Sequence, residues 1–104
     1  MPKGTHSGRL QGMVLFNWSL EKNQELIATR GVSFEDAVFL IKEGKVLDEF
    51  PHPNQKKYPD QRVFVLSIAG YVYLVPFVEN DDEIFLKTII PSRKATRQYL
   101  GEKL

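Results

Sequence analysis

The sequence predicts an α+β fold. A helical hairpin packs on a curved, mainly antiparallel sheet of four to five strands, a short helix follows at the C-terminal end, and the order is β-α-α-β-β-β-β-α. Three observations lead there. Ser33 and Asp36 stand three apart as an approximate capping box, and Phe34, Ala37, Val38 and Ile41 behind them follow the apolar spacing of an amphipathic helix. Downstream, four runs rich in Val, Ile, Phe and Tyr are separated by turn residues, the signature of a strand meander. Finally, 104 residues of which 42% are hydrophobic supply the core of one ordinary domain and no more.

Residues 1 to 12, with Gly4, Gly8 and Gly12 among polar neighbours, have little to bury and read as a flexible leader or cloning remnant. Met13 then stands as a natural start, and residues 13 to 104 as a single domain. The apolar run 14 to 18 predicts a first strand. Ser19 can cap a helix that runs to Arg30 and stops at Gly31, where the left-handed conformation is free of Cβ strain. The helix opened by Ser33 ends at Gly44. Strands are expected over 45 to 50, 62 to 69, 71 to 78 and 83 to 90, with Gly70 and Asn80-Asp81-Asp82 turning the later ones antiparallel. Pro76, which has no N–H to donate, marks an edge position or a bulge. After Pro91, Ser92 can cap a last helix bearing Arg93, Lys94, Arg97 and Tyr99.

The charge pattern narrows the function. A formal net charge of +1 is far from that of a dedicated nucleic-acid binder, yet the chain is locally bipolar. Glu79, Asp81, Asp82 and Glu83 fall in one short stretch, and Lys87, Arg93, Lys94 and Arg97 in another. There is no cysteine and only His6 and His52, so the usual zinc sites and thiol chemistry are excluded, and no metal or cofactor is expected. The chain lacks a Gly-rich phosphate loop, a nucleophile elbow, an apolar span and a secretory signal, so it reads as cytoplasmic, with no membrane partner.

Three places hold polar residues that stability alone does not favour. Arg93 and Arg97 sit four apart near a helix start, where cations oppose the macrodipole by roughly 0.3–1 kcal/mol. A phosphate bound there would reverse the sign. The same residues serve as well as a solvated basic face, or as partners of the acidic turn. The loop 51 to 61 gathers His52, Lys56, Lys57, Tyr58 and Asp60: the imidazole can move a proton, the tyrosine can stack and the lysines can hold phosphate. Its prolines equally suggest a loop stiffened for stability. Arg62 opens an apolar strand and so is anchored at the sheet rim, suited to clamp a phosphate or to form a rim ion pair with Asp60 or another acid. Phe16 and Trp18 read as packing residues, Lys22 as a solvated helix residue able to reach over the sheet, and Tyr71 and Tyr73 as neighbours on one sheet face.

Three stretches taken together resemble the BrnT family of toxins from bacterial type II toxin–antitoxin modules. They are Phe16-Asn17-Trp18 with Glu21-Lys22-Asn23, then Gly31-Val32-Ser33-Phe34-Glu35-Asp36-Ala37, then Ile89-Ile90-Pro91-Ser92-Arg93-Lys94-Ala95-Thr96-Arg97. The resemblance spans about residues 16 to 97. It implies a RelE-like fold and a metal-independent endoribonuclease that cleaves mRNA, free or on the ribosome, to inhibit translation. It also implies neutralisation by a cognate antitoxin, with operator DNA reached only through that partner.

In such enzymes the 2′-hydroxyl attacks the adjacent phosphate, so the protein positions the backbone, stabilises phosphorane charge and moves two protons. The resemblance matches Arg62 and Arg93 to this site's arginines, with Arg97 a second choice; the base is expected to be His52, with Tyr58 and Asp60 as alternatives, and Lys56, Lys57, Tyr58 and Lys22 are read from their own positions as RNA contacts. Two departures stand out. Gln61 replaces the acid often found before the matched arginine, and Thr29-Arg30-Gly31 replaces a Lys-His-Gly segment. The alternative is a binding module that pairs with an antitoxin-like partner in a repressor complex and does not cut RNA.

Overall fold

The computed structural model describes residues 14–101, so the leader and the Met13 start lie outside the described residues. The elements are β1 (Leu15–Asn17), α1 (Leu20–Arg30), α2 (Phe34–Lys42), β2 (Asp48–Pro51), β3 (Gln61–Ile68), β4 (Tyr71–Glu79), β5 (Glu83–Leu86), β6 (Ile90–Pro91) and α3 (Arg93–Leu100). They form an α+β structure with three helices and an open, mixed sheet in the order β1-β5-β4-β3-β2, with β6 also paired to β4.

Local chemistry places the helix ends as the sequence predicts. The Ser19 side chain accepts from Lys22 N, and Gly31 stops α1 at φ +69°. Ser33 and Asp36 complete the capping box of α2. The turn that leaves α2 takes more chain than expected: Gly44 adopts φ +73° and Lys45 N donates back to Leu40 O at 2.9 Å. Residues 45 to 47 are therefore used in leaving the helix, and the strand expected from 45 begins at Asp48.

Two further expectations are corrected in the sheet. β1 pairs with β5 in parallel, Leu15 facing Glu83 and Asn17 facing Phe85, so the sheet is mixed and among the described residues has six strands, not four to five. The strand expected over 83 to 90 is split in two. Between the pairs Phe77–Leu86 and Leu74–Ile90, two residues of β4 are matched by three of its partner. Pro76 faces this interruption. It belongs to an interior strand, not an edge, and because it offers no N–H the ladder resumes only after the neighbouring strand inserts one extra residue. The insertion turns Ile89, fully buried, into the core.

Directly paired residues share a face, which divides the core into two layers. Phe64, Leu66, Val75, Phe77, Ile84 and Leu86 meet Leu26, Val32, Phe34 and Ala37 of the helical hairpin. Val65 and Val72 meet Ala95 of α3 on the opposite face. Within the hairpin, buried Asn23 accepts from Phe34 N at 2.7 Å and donates to Glu35 at 2.8 Å, holding that carboxyl below the usual carboxylate range. Trp18 stacks on Phe34 with centroids 5.7 Å apart, confirming it as a packing residue.

The β3–β4 turn contains the only non-glycine residue with positive φ among the described residues: Ala69 at +52°, followed by Gly70 at +85°. Two successive left-handed residues make the mirror-image turn that favours Asn-Gly. Ala69→Asn is expected to stabilise the fold by about 0.5–1 kcal/mol, because asparagine tolerates this region better than alanine. A thermal melt checks it, with a rise of roughly 2–8 °C expected for a domain of this size.

Candidate nucleic-acid interface

The last helix is fastened to the sheet by hydroxyl groups. Ser92 caps α3 by accepting from Ala95 N at 3.0 Å, and its own N–H donates to Val72 O at 3.0 Å. Fully buried Thr96 accepts from Val72 N at 2.8 Å and donates to Ser92 O at 2.7 Å. Both backbone groups of Val72 are thus taken by α3, which fixes the helix against one end of β4. At its far end the Tyr99 hydroxyl donates to Asp48 of β2 at 2.6 Å. Between these fastenings lies an open groove of about 380 Å³ floored by Phe50, Val65 and Leu74 and walled by Lys94 and Gln98.

The Tyr99 bond and the Glu49 N–H hold the Asp48 carboxyl below its ordinary 3.8, and the Asp48 acceptor holds the Tyr99 phenol above its ordinary 10.0. A lowered acid stabilises the fold above its ordinary pKa and loses that contribution as the pH falls through the folded value. A raised phenol acts in the opposite sense and fails as the pH rises through its folded value. The α3–β2 fastening is therefore intact between these limits. Tyr99→Phe is expected to raise the Asp48 pKa, measured by NMR titration of its carboxyl; an unchanged value would assign the shift to another neighbour.

Anchored in this way, α3 turns Arg93, Lys94 and Arg97 to solvent. Among the described residues no acid lies within ion-pair distance of any of them. The acidic turn around Asp81 and Asp82 leaves the opposite end of β4 from Val72, roughly 24 Å away at about 3.4 Å per residue. The pairing of basic helix with acidic turn that the sequence allowed is not formed.

The other candidates sit elsewhere. Arg62 pairs with Phe77 and so belongs to the hairpin face, where its Nε donates to Glu49 at 2.9 Å in a half-exposed ion pair. Arg62 and Arg93 lie on opposite faces and at opposite ends of the sheet, and they do not share one phosphate site. His52 is held in a loop that bonds to itself. Its Nδ1 accepts from Asn54 N at 3.0 Å, its carbonyl accepts from Gln55, and its ring lies 4.4 Å from that of Tyr58, over which Lys57 sits at 5.4 Å. The Nδ1 lone pair is thus taken up by the Asn54 N–H. Lys56 is exposed on the same loop, and Lys22 is paired with Glu25 at 3.6 Å on α1. The structure therefore gathers Arg93 and Arg97, and separately His52, Lys57 and Tyr58.

Sequence reasoning missed two contributors. Thr96 is one. The spacing of Ser92, Ala95, Thr96 and Tyr99 marks the inner face of α3, a polar version of the helical stripe that could have singled it out. Arg30 is the other: it ends α1 and donates a hydrogen bond to the carbonyl of Ile89, a contact across 59 positions that no local pattern announces. Comparison with protein-family models, curated proteins and solved structures finds no match for the chain. Fold and site together define an α+β protein with a basic helix fastened to its sheet. None of the described helices is long and apolar enough to cross a membrane.

Proposed function

We propose that the chain is a BrnT-type toxin with a RelE-like fold, a metal-independent endoribonuclease that stops translation by cutting RNA and is neutralised by a cognate antitoxin. The observation that carries this reading is the fastening of α3: a buried threonine and a capping serine hold two arginines, one helical turn apart and without acid partners, at the surface. Placing like charges there costs stability, and a bound phosphate recovers it. In the reaction the 2′-hydroxyl oxygen bonds to phosphorus and the 5′-oxygen leaves, giving a 2′,3′-cyclic phosphate and a 5′-hydroxyl. Arg93 and Arg97 bind the phosphate and stabilise the charge that builds on its oxygens, so positioning and electrostatics supply the acceleration.

The separation of His52 and Arg62 from α3 favours a second reading, a module that binds RNA or an antitoxin-like partner without cutting. Cleavage of a mixed-sequence single strand by the purified protein in EDTA at low salt decides between them. Products ending in 2′,3′-cyclic or 3′-phosphate are expected for the nuclease; binding with intact RNA supports the module.

A further inference from the structure

We propose that Tyr71 and Tyr73 form a base-stacking platform that makes this protein take single-stranded RNA in preference to duplex. The inference rests on the RNA-binding part of the reading above and assigns residues that the reading leaves unused.

The two tyrosines stand two apart on β4 and so share the hairpin face, their rings edge to face with centroids 5.8 Å apart. Both are half-buried, and among the described residues neither hydroxyl has a hydrogen-bond partner. Tyr73 packs against the hairpin core, which fixes the pair, while Tyr71 opens the strand beyond it. Such an arrangement presents aromatic surface without needing an ordering step.

A cation adjoins the strand that pairs with the platform. Tyr73 pairs with Pro91 of β6, and Arg30 reaches from α1 to the carbonyl of Ile89, directly before β6, whereas Arg93 opens α3, which covers the other face. One arm of the Arg30 guanidinium is used in that bond, and no acid among the described residues pairs with it. The acids of the 79 to 83 stretch lie at the far end of β4. A polyanion is thus the complementary partner, and aromatic faces beside an arginine select one whose bases are unstacked, because a duplex hides those faces in its own stack.

The test is anisotropy at low salt with a labelled 2′-O-methyl 12-mer, which lacks the attacking hydroxyl, against the same sequence as a duplex. Tyr71→Leu is expected to weaken single-strand binding about tenfold and leave duplex binding unchanged, while Tyr71→Phe, which keeps the ring, binds as the wild type does. Wild-type affinity for the single strand in Tyr71→Leu, or equal losses for both probes, overturns the platform. Tyrosine-dependent binding by a protein that leaves ordinary RNA uncut upholds the platform and removes the nuclease reading. Failure of the wild type to bind the single strand overturns both.

Discussion

Valine in place of Thr96 is expected to destabilise the fold by about 1–3 kcal/mol, the largest effect of any near-isosteric substitution on α3. The side chain is fully buried and valine fills nearly the same volume, so no cavity opens. What is lost is the acceptor of Val72 N–H, left in a site closed to water at a cost of roughly 1–3 kcal/mol, while Ser92 C=O loses one donor and keeps the backbone N–H of residue 96 at 2.9 Å. Urea denaturation measures it. Thr96→Ser keeps the hydroxyl and should recover most of the stability; a Thr96→Val loss below about 1 kcal/mol would show that the hydroxyl does not hold the helix. Because α3 carries the basic pair, Thr96→Val is also expected to weaken RNA binding at temperatures well below its melt.

The second large effect falls on activity and hardly on stability. Arg93→Ala with Arg97→Ala removes one cation from the first turn of α3, where it opposes the macrodipole, and one from the last, where it favours it, so stability is expected to stay within a few tenths of a kcal/mol of wild type. RNA cleavage should fall by about 10²–10⁴-fold, since each charged hydrogen bond to phosphate contributes roughly 1.5–3 kcal/mol. Arg62→Ala is the contrast. It breaks a half-exposed ion pair with Glu49, worth about 0–1 kcal/mol, on the face away from α3, and cleavage should stay within about threefold of wild type. Equal losses from Arg62→Ala and the double variant would move the phosphate site to the β3 rim and overturn its placement on α3.

How much of this was legible beforehand follows the range of each interaction. The capping box of Ser33 and Asp36, the stop at Gly31 and the cap at Ser92 are settled by residues within four positions, and all three stand as the sequence predicts. The candidate site was half legible. Arg93 and Arg97 share a face because a helix places residues four apart together, but their distance from Arg62 and His52 depends on which sheet face each element occupies. Strand alternation puts Arg62 in phase with Phe64 and Leu66, toward the hairpin, whereas α3 covers Val65. Nothing local to either segment states that α3 crosses to the other side.

By itself, then, the sequence determined the helices, their ends and the antiparallel turns, because these follow from capping, periodicity and backbone freedom over short spans of chain. The tertiary structure decided the parallel seating of β1 on β5, the bulge opposite Pro76, the reach of Arg30 to Ile89 and the division of the basic residues between two faces. These are contacts between residues far apart in sequence, selected by the burial of a two-sided sheet, and a one-residue change of register would reverse the face of each side chain in them.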